Sequence, residues 1–340
     1  MALDRVDAIQ ERMYSYSPLF PAVAVERVSR TAALQEEVTA REFLAYVGAP
    51  EPKAIPAGRK KWNILHFIPE GDYDAERARF IYLPMANGID SVDINQAYQM
   101  ATVFAADPET QLVAVGAPSR PGHKAGIISL ADGRKVYKGD PNPLVDPVLG
   151  YAHTSGITQQ EHVGVSRGAS LVMPAARRAV DFYGTVSRVK AIEPTDIKQR
   201  SNFRPAAMLS LGLDFKKTDE RFPDYVALNQ SPAFDTVLKS GGTANGFLLG
   251  LLRATNLATT SLLATDQFEK HSREALEAQP DMVADMITGT ESELATYGII
   301  TAITKRLQAD YGERFRATFL PGQYHALMND LALQALLATT

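Results

Sequence analysis

Glu161-His162-Val163-Gly164-Val165-Ser166-Arg167-Gly168-Ala169-Ser170 is the stretch on which the rest of the sequence is read. A short apolar approach leads into Gly164-x-Ser166-x-Gly168, and a run compatible with a helix follows. This is the pattern of a nucleophile elbow, a strand-to-helix turn with the serine at its tip. Glycine is needed on both sides because a side chain at either place would collide across so sharp a bend. The bend presents Ser166 Oγ, and the start of the following helix directs partial positive charge at it. So short a pattern also describes ordinary surface turns. Its meaning depends on whether the flanking chain supplies a base, an acid and an oxyanion site in the right order.

The sequence has 340 residues, 45% of them apolar and 22% charged, the balance of a water-soluble globular chain with a sizeable core. A formal charge of −4 argues against a nucleic-acid footprint. No apolar run is long enough to span a membrane, and Met1–Glu11 lacks a signal-peptide core. Cysteine is absent, which excludes disulfides, a thiol nucleophile and thiolate metal sites and fits a reducing, cytoplasmic setting. No metal or nucleotide motif is present, so neither a metal nor a cofactor is expected.

The pattern on either side of the elbow is an alternation of strands and helices. Residues 1–60 form an N-terminal extension, with a helix from Val6 to Met13, a short strand at Ala22–Val25 and an amphipathic helix from Ala32 to Val47. That helix is expected to cover the sheet, or alternatively to make a homo-oligomer contact. Gly48-Ala49-Pro50 ends it, and a loop runs on to Lys61. Strands are predicted at 62–68, 79–84 and 111–116, with a helix at 93–105 capped by Asp90, Ser91 or Asp93. Strand, helix, strand at this spacing predicts a parallel pair with a crossover helix. Asp132-Gly133 within 127–138 reads as a hairpin. A short helix is expected at 146–154, and a strand at 162–165 enters the elbow. A helix at 169–182 tolerates Pro174 in its first turns. A strand follows at 188–192. Residues 199–280 lose the alternation and include the apolar runs Phe247–Leu252 and Leu257–Ala264, which predicts a helical cap. The alternation resumes with a strand at 282–288, a helix at 297–311, a strand at 315–320 and a closing helix at 327–337. The core is thus expected at 61–198 and 281–340.

Ser166, Glu293 and His325 each follow the carboxyl end of a predicted strand. In an open parallel sheet those ends share one edge, where ligands bind. Serine, acid, histidine is also the chain order of one hydrolase class. With Gly164–Gly168, Gly289–Leu294, Leu320–His325 and the strand and Pro/Gly loop Gln111–Gly122 in this order, the chain resembles an α/β-hydrolase-fold serine hydrolase of the esterase and lipase kind. The resemblance covers residues 62–340. It implies a mostly parallel central sheet flanked by helices, with the cap as an insertion. It departs from the usual pattern after the second strand, where His-Gly is replaced by Pro84-Met85-Ala86-Asn87-Gly88. Pro84 has no N–H, so the oxyanion donors implied are the N–H of Met85 or Ala86 together with that of Arg167.

A neutral serine hydroxyl needs a base to take its proton, and histidine titrates where it can accept and return one. His325 is the implied base and Glu293 the implied acid, holding the imidazole tautomer. Glu193, after the preceding strand, is the alternative acid, with Glu291 and Asp196 behind it. His66, His123, His153, His162 and His271 have no partner pattern and read as packed or solvated. The Arg167 side chain either contacts a substrate carboxylate or packs at the sheet edge. The expected activity is hydrolysis of an ester-like small molecule with an apolar acyl part through an acyl-enzyme. The alternatives are a catalytically silent binding or assembly protein of the same fold and an acyltransferase with the same triad.

Overall fold

The computed structural model describes residues 7, 11, 18–38, 40–51, 53–57, 60–82, 94–115, 129–198, 266–292, 296–323 and 331–340. Helices α1 (Ala22–Glu37) and α2 (Ala40–Tyr46) come first, then strands β1 (Lys53–Ala57), β2 (Lys60–Phe67) and β3 (Arg77–Tyr82). Helix α3 (Ile94–Ala106), strand β4 (Gln111–Val115), helices α4 (Leu130–Tyr137) and α5 (Asn142–Thr154) and strand β5 (Gln159–Val165) follow. Helix α6 (Ala169–Ala179), a 3₁₀ turn at Val180–Phe182 and strand β6 (Thr185–Ile192) complete the first half. The second half contains α7 (Phe268–Ala278), β7 (Val283–Gly289), α8 (Tyr297–Tyr311), β8 (Phe315–Leu320) and α9 (Leu331–Thr339).

The strands form one eight-stranded sheet in the order β1-β2-β4-β3-β5-β6-β7-β8. β1 and β2 run antiparallel to their neighbours, and the other six strands are mutually parallel. Parallel strands are covered on both faces, which is why β4 is buried along its whole length and is apolar after Gln111. On one face the strands pack with α5, α6, α7 and α8 through Phe80, Val148, Val172, Ala191, Phe268 and Ile303. On the other face they pack with α1, α2, α3 and α9 through Val25, Phe43, Ile81, Val163, Ile192 and Leu336. The expected crossover is present, since β3 and β4 pair in parallel with α3 between them.

The amino-terminal half of this second face carries a ladder of ion pairs. Arg79 on β3 bonds Glu161 on β5 through Nε at 3.0 Å and Asp107 through Nη1 at 2.6 Å. Arg188 on β6 and Arg316 on β8 both reach Asp285 on β7, each through Nε at 2.8 Å. Buried Lys190 donates to the Leu337 carbonyl at 2.9 Å, placing a cation at the carboxyl end of α9 where the helix dipole favours one.

Several expectations change, and the single helix expected over 32–47 is divided between α1 and α2. Ala22–Val25 is the first turn of α1, not a strand. Val25, Val28 and Ala32 are buried at helical spacing, and that stripe outweighs the local β preference of valine. The stretch before Lys61 is not all loop, because β1 pairs with β2 from Lys53↔Ile64 to Ala57↔Lys60. Pro56 is tolerated because β1 is an edge strand. The hairpin expected around Asp132-Gly133 is helix α4. Ser129 accepts a bond from the Asp132 amide at 3.1 Å, so a cap rather than a turn decides the local structure. Finally, α7 lies within the range expected for the cap, yet its Phe268, Ala275 and Leu276 are buried in the core layer. The core resumes at Phe268, whose amide bonds the Asp196 carbonyl at 3.0 Å. The rest of the expected cap, 199–265, lies outside the described residues, as does all but Asp7 and Glu11 of the helix expected at 6–13.

Candidate active site

Ser166 follows β5 at the carboxyl edge of the sheet with φ 55°, a left-handed conformation that costs a non-glycine residue about 1–3 kcal/mol. The turn that imposes it is tied on both sides. The Ser166 amide bonds the Ile192 carbonyl at 2.8 Å, and the Gly168 amide bonds the Val165 carbonyl at 2.9 Å. A Cβ on Gly164 would stand 2.2 Å from the Gly168 carbonyl oxygen, and one on Gly168 only 2.0 Å from that of Tyr82. The motif's glycines are therefore fixed by close backbone approach, as the elbow reading requires. Helix α6 begins at Ala169, so its amino terminus adjoins the serine. The Arg167 side chain is buried.

The end of the adjacent strand β6 repeats this geometry. Glu193 has φ 56°, and its amide bonds the Ile287 carbonyl at 2.8 Å. It is 0% exposed. Its carboxylate accepts bonds from the Gly289 amide, from Thr288 Oγ1 at 3.1 Å and from Ser292 Oγ at 2.6 Å. Because β5 and β6 pair through Val165↔Ile192, this charge stands one strand away from the serine. Three residues on, Asp196 is also buried and accepts a bond from Ser170 Oγ at 2.7 Å. Burial pushes its carboxyl up to about 6, against the opposing effect of the Ser170 bond.

The turns after β7 and β8 are stitched together. Thr290 and Glu291 amides bond the carbonyls of Leu320 and Gln323 at 3.1 and 3.0 Å, and the Gly322 amide bonds Thr290 Oγ1 at 2.8 Å. A Cβ on Gly289 would meet the Gln323 carbonyl oxygen at 2.0 Å. Gln323, the last described residue of this turn, thus lies beside the end of β7. Glu291 itself is exposed.

Of the residues singled out in the sequence, Ser166, Arg167, Glu193, Asp196 and Glu291 are described. The structure brings Ser166 and Glu193 to adjacent strand ends. Glu293, His325, Met85, Ala86 and His123 lie outside the described residues, as do the candidate caps Asp90, Ser91 and Asp93. Two of the remaining histidines are engaged elsewhere. His66 sits between Tyr151 Oη at 2.7 Å and Gln111 Oε1 at 3.0 Å. His162 stacks on Phe80 within the sheet, and burial drives its imidazole down to about 3. The donors on Glu193 had no sequence signal, because Thr288 and Ser292 become its neighbours only through β6–β7 pairing. No cluster of three or more potential metal ligands is present among the described residues, and none of the described helices is long and apolar enough to cross a membrane.

No protein-family model and no curated protein matches the sequence. Solved structures do match. The crystal structure of an E-2-(acetamidomethylene)succinate hydrolase aligns with 84% of this chain and 96% of its own, at 14% identity and a TM-score of 0.51. A 2-hydroxy-6-oxo-6-phenylhexa-2,4-dienoate hydrolase from a Rhodococcus species aligns with 83% of this chain and 94% of its own, at 13% identity and a TM-score of 0.50. A mostly parallel eight-stranded sheet between helical layers, a strained serine at its carboxyl edge and these structural likenesses agree, and the chain has the α/β-hydrolase fold.

Proposed function

We propose that the protein is a serine hydrolase acting on ester-like small molecules with an apolar part. The observation that carries this reading is Ser166 in a left-handed elbow closed by two glycines that cannot be replaced without backbone collision. Strain of this kind is retained where it presents a group for chemistry. In this reading Ser166 Oγ attacks the carbonyl carbon while His325 takes its proton. The N–H groups of Arg167 and of Met85 or Ala86 hold the oxyanion. His325 returns the proton to the leaving alcohol, and water then attacks the acyl-enzyme by the same route.

The carboxylate that supports His325 in this reading is Glu193. It is desolvated, held by three donors and one strand from the serine. Glu293, the acid implied by the sequence resemblance, is the alternative. Replacing the true acid by glutamine costs kcat on the order of 10⁴-fold, so comparing Glu193→Gln with Glu293→Gln separates the two. The apolar runs within 247–264 support an apolar acyl group as the bound part. We place the substrate-covering insertion at 199–265, between the bonded residues Asp196 and Phe268.

The decisive experiment is labelling with a fluorophosphonate probe. Native protein is expected to be labelled and Ser166→Ala to be silent, with ester turnover falling at least about 10³-fold. An unlabelled native protein, or equal labelling of Ser166→Ala, overturns the hydrolase reading in favour of a binding protein. Product ratios with an added alcohol or amine separate hydrolysis from acyl transfer.

A further inference from the structure

A carboxylate removed from water needs protein donors in place of its hydration shell. Three donors to Glu193 come from a single turn, the one that follows β7, and they are not equivalent. The Gly289 amide and Thr288 Oγ1 both address Oε1, and Thr288 Oγ1 also lies 3.3 Å from the Gly289 carbonyl, so its one proton has two acceptors. Ser292 Oγ addresses Oε2 at 2.6 Å, the short distance of a hydroxyl bonded to a charged oxygen. Its side chain is buried, at 5% exposure. The turn does not need that hydroxyl to hold its shape. Its backbone is fixed by Thr290 to Leu320 at 3.1 Å, Glu291 to Gln323 at 3.0 Å and Ser292 to Gly289 at 3.3 Å.

We infer that Ser292 is a positioning residue for the reaction, its hydroxyl fixing the Oε2 side of Glu193 and with it the plane in which that carboxylate faces the base. The inference rests on the reading in which Glu193 supports His325. When the proton passes from Ser166 to His325, the carboxylate must already be oriented toward the imidazolium that forms. A terminal carboxylate torsion is broad and soft. A charge-assisted bond to one oxygen removes that freedom before the reaction begins. In this role Ser292 acts through Glu193, its acceptor at 2.6 Å.

The test is a double-mutant cycle in kcat, using a chromogenic ester, with KM and thermal melting measured for every variant. Ser292→Ala is expected to lower kcat about tenfold with KM within twofold and the melting temperature lowered by a few degrees, since one bond to a buried charged group is lost and no backbone contact is. Ser292→Thr, which restores a hydroxyl, is expected to recover most of that loss. In a Glu193→Gln background the same Ser292→Ala change is expected to cost less than twofold, because its route of action is already gone. Thr288→Val, which keeps shape but removes the shared hydroxyl, is expected to cost less than Ser292→Ala. Wild-type kcat in Ser292→Ala, or an undiminished tenfold loss in the Glu193→Gln background, overturns the role of Ser292 and leaves Glu193 as the acid. Wild-type kcat in Glu193→Gln overturns the choice of acid itself, and the inference falls with it.

Discussion

Gly168→Ala is the most direct test of the elbow. The added Cβ would lie 2.0 Å from the Tyr82 carbonyl oxygen and 2.6 Å from its carbonyl carbon. Ordinary contact begins near 3.4 Å, so the two backbones must separate by about 1.4 Å. Neither atom belongs to a flexible side chain that could swing aside, and Tyr82 is fixed on both sides by pairing of β3 with β4 and β5. The elbow must therefore move. Overpacking of this kind costs about 1–3 kcal/mol, which for a protein of this size lowers the melting temperature by several degrees. The kinetic cost is larger, because displacing a nucleophile by ~1 Å loses on the order of 10²-fold in rate. The assay pairs thermal melting with the rate of fluorophosphonate labelling. The control is Gly298→Ala, the same chemical change in helix α8, where an added Cβ meets nothing within 4 Å. There alanine is expected to be neutral or mildly stabilising. If Gly168→Ala melts and labels like Gly298→Ala, the close packing that defines the elbow is refuted.

Other outcomes follow from the sheet's polar groups. Glu161→Ala strips Arg77 and Arg79 of their shared partner and is expected to cost about 3 kcal/mol in urea unfolding. Burial alone would raise the Glu161 carboxyl, but Arg79 and Arg77 together hold it below the usual range. The stability it contributes is therefore complete above the ordinary carboxylate pKa and is lost as pH falls through the lower folded value, a dependence Glu161→Ala should remove. His162 acts over a different window. It is kept neutral by burial, with its folded pKa near 3. The unfolded chain takes up a proton first, so stability falls as pH drops below about 6.5. His162→Leu should reduce the slope of stability against pH between 6 and 4 by about one proton. Ser129→Ala removes the cap of α4 and is expected to cost about 1 kcal/mol, measured by the same unfolding curves.

The legible parts of this fold were those written locally. Strand β4 is a short apolar run because a central strand is buried on both faces, and the elbow is marked by glycines held in close backbone contact. What escaped was written across the fold. The run Ala22–Val25 is equally apolar as strand or helix, and only burial of Val25, Val28 and Ala32 against the second layer decides it. Asp132-Gly133 carries a turn signal that Ser129, three residues away, overrides. Lys53–Ala57 offers little alternation, since on an edge strand only Ile55 is buried. At the site, Glu193 could be named from its position after a strand. Thr288 and Ser292 are nearly 100 residues away in sequence and become its donors only once β6 and β7 pair. Choosing between Glu193 and Glu293 is for the same reason a question of tertiary contacts rather than of motif.

The bond between the Asp196 carbonyl and the Phe268 amide has a consequence for how such a chain can diversify. Segment 197–267 departs and returns between two residues one hydrogen bond apart, and Ser170 fastens that point to α6, whose amino terminus adjoins Ser166. The closure entropy of a loop grows only slowly with its length. The number of residues between 198 and 266 can therefore change at small entropic cost while the strands keep their register. On the proposal that 199–265 covers the substrate, selection for a new substrate can rewrite that segment as a module while the strand ends are inherited unchanged.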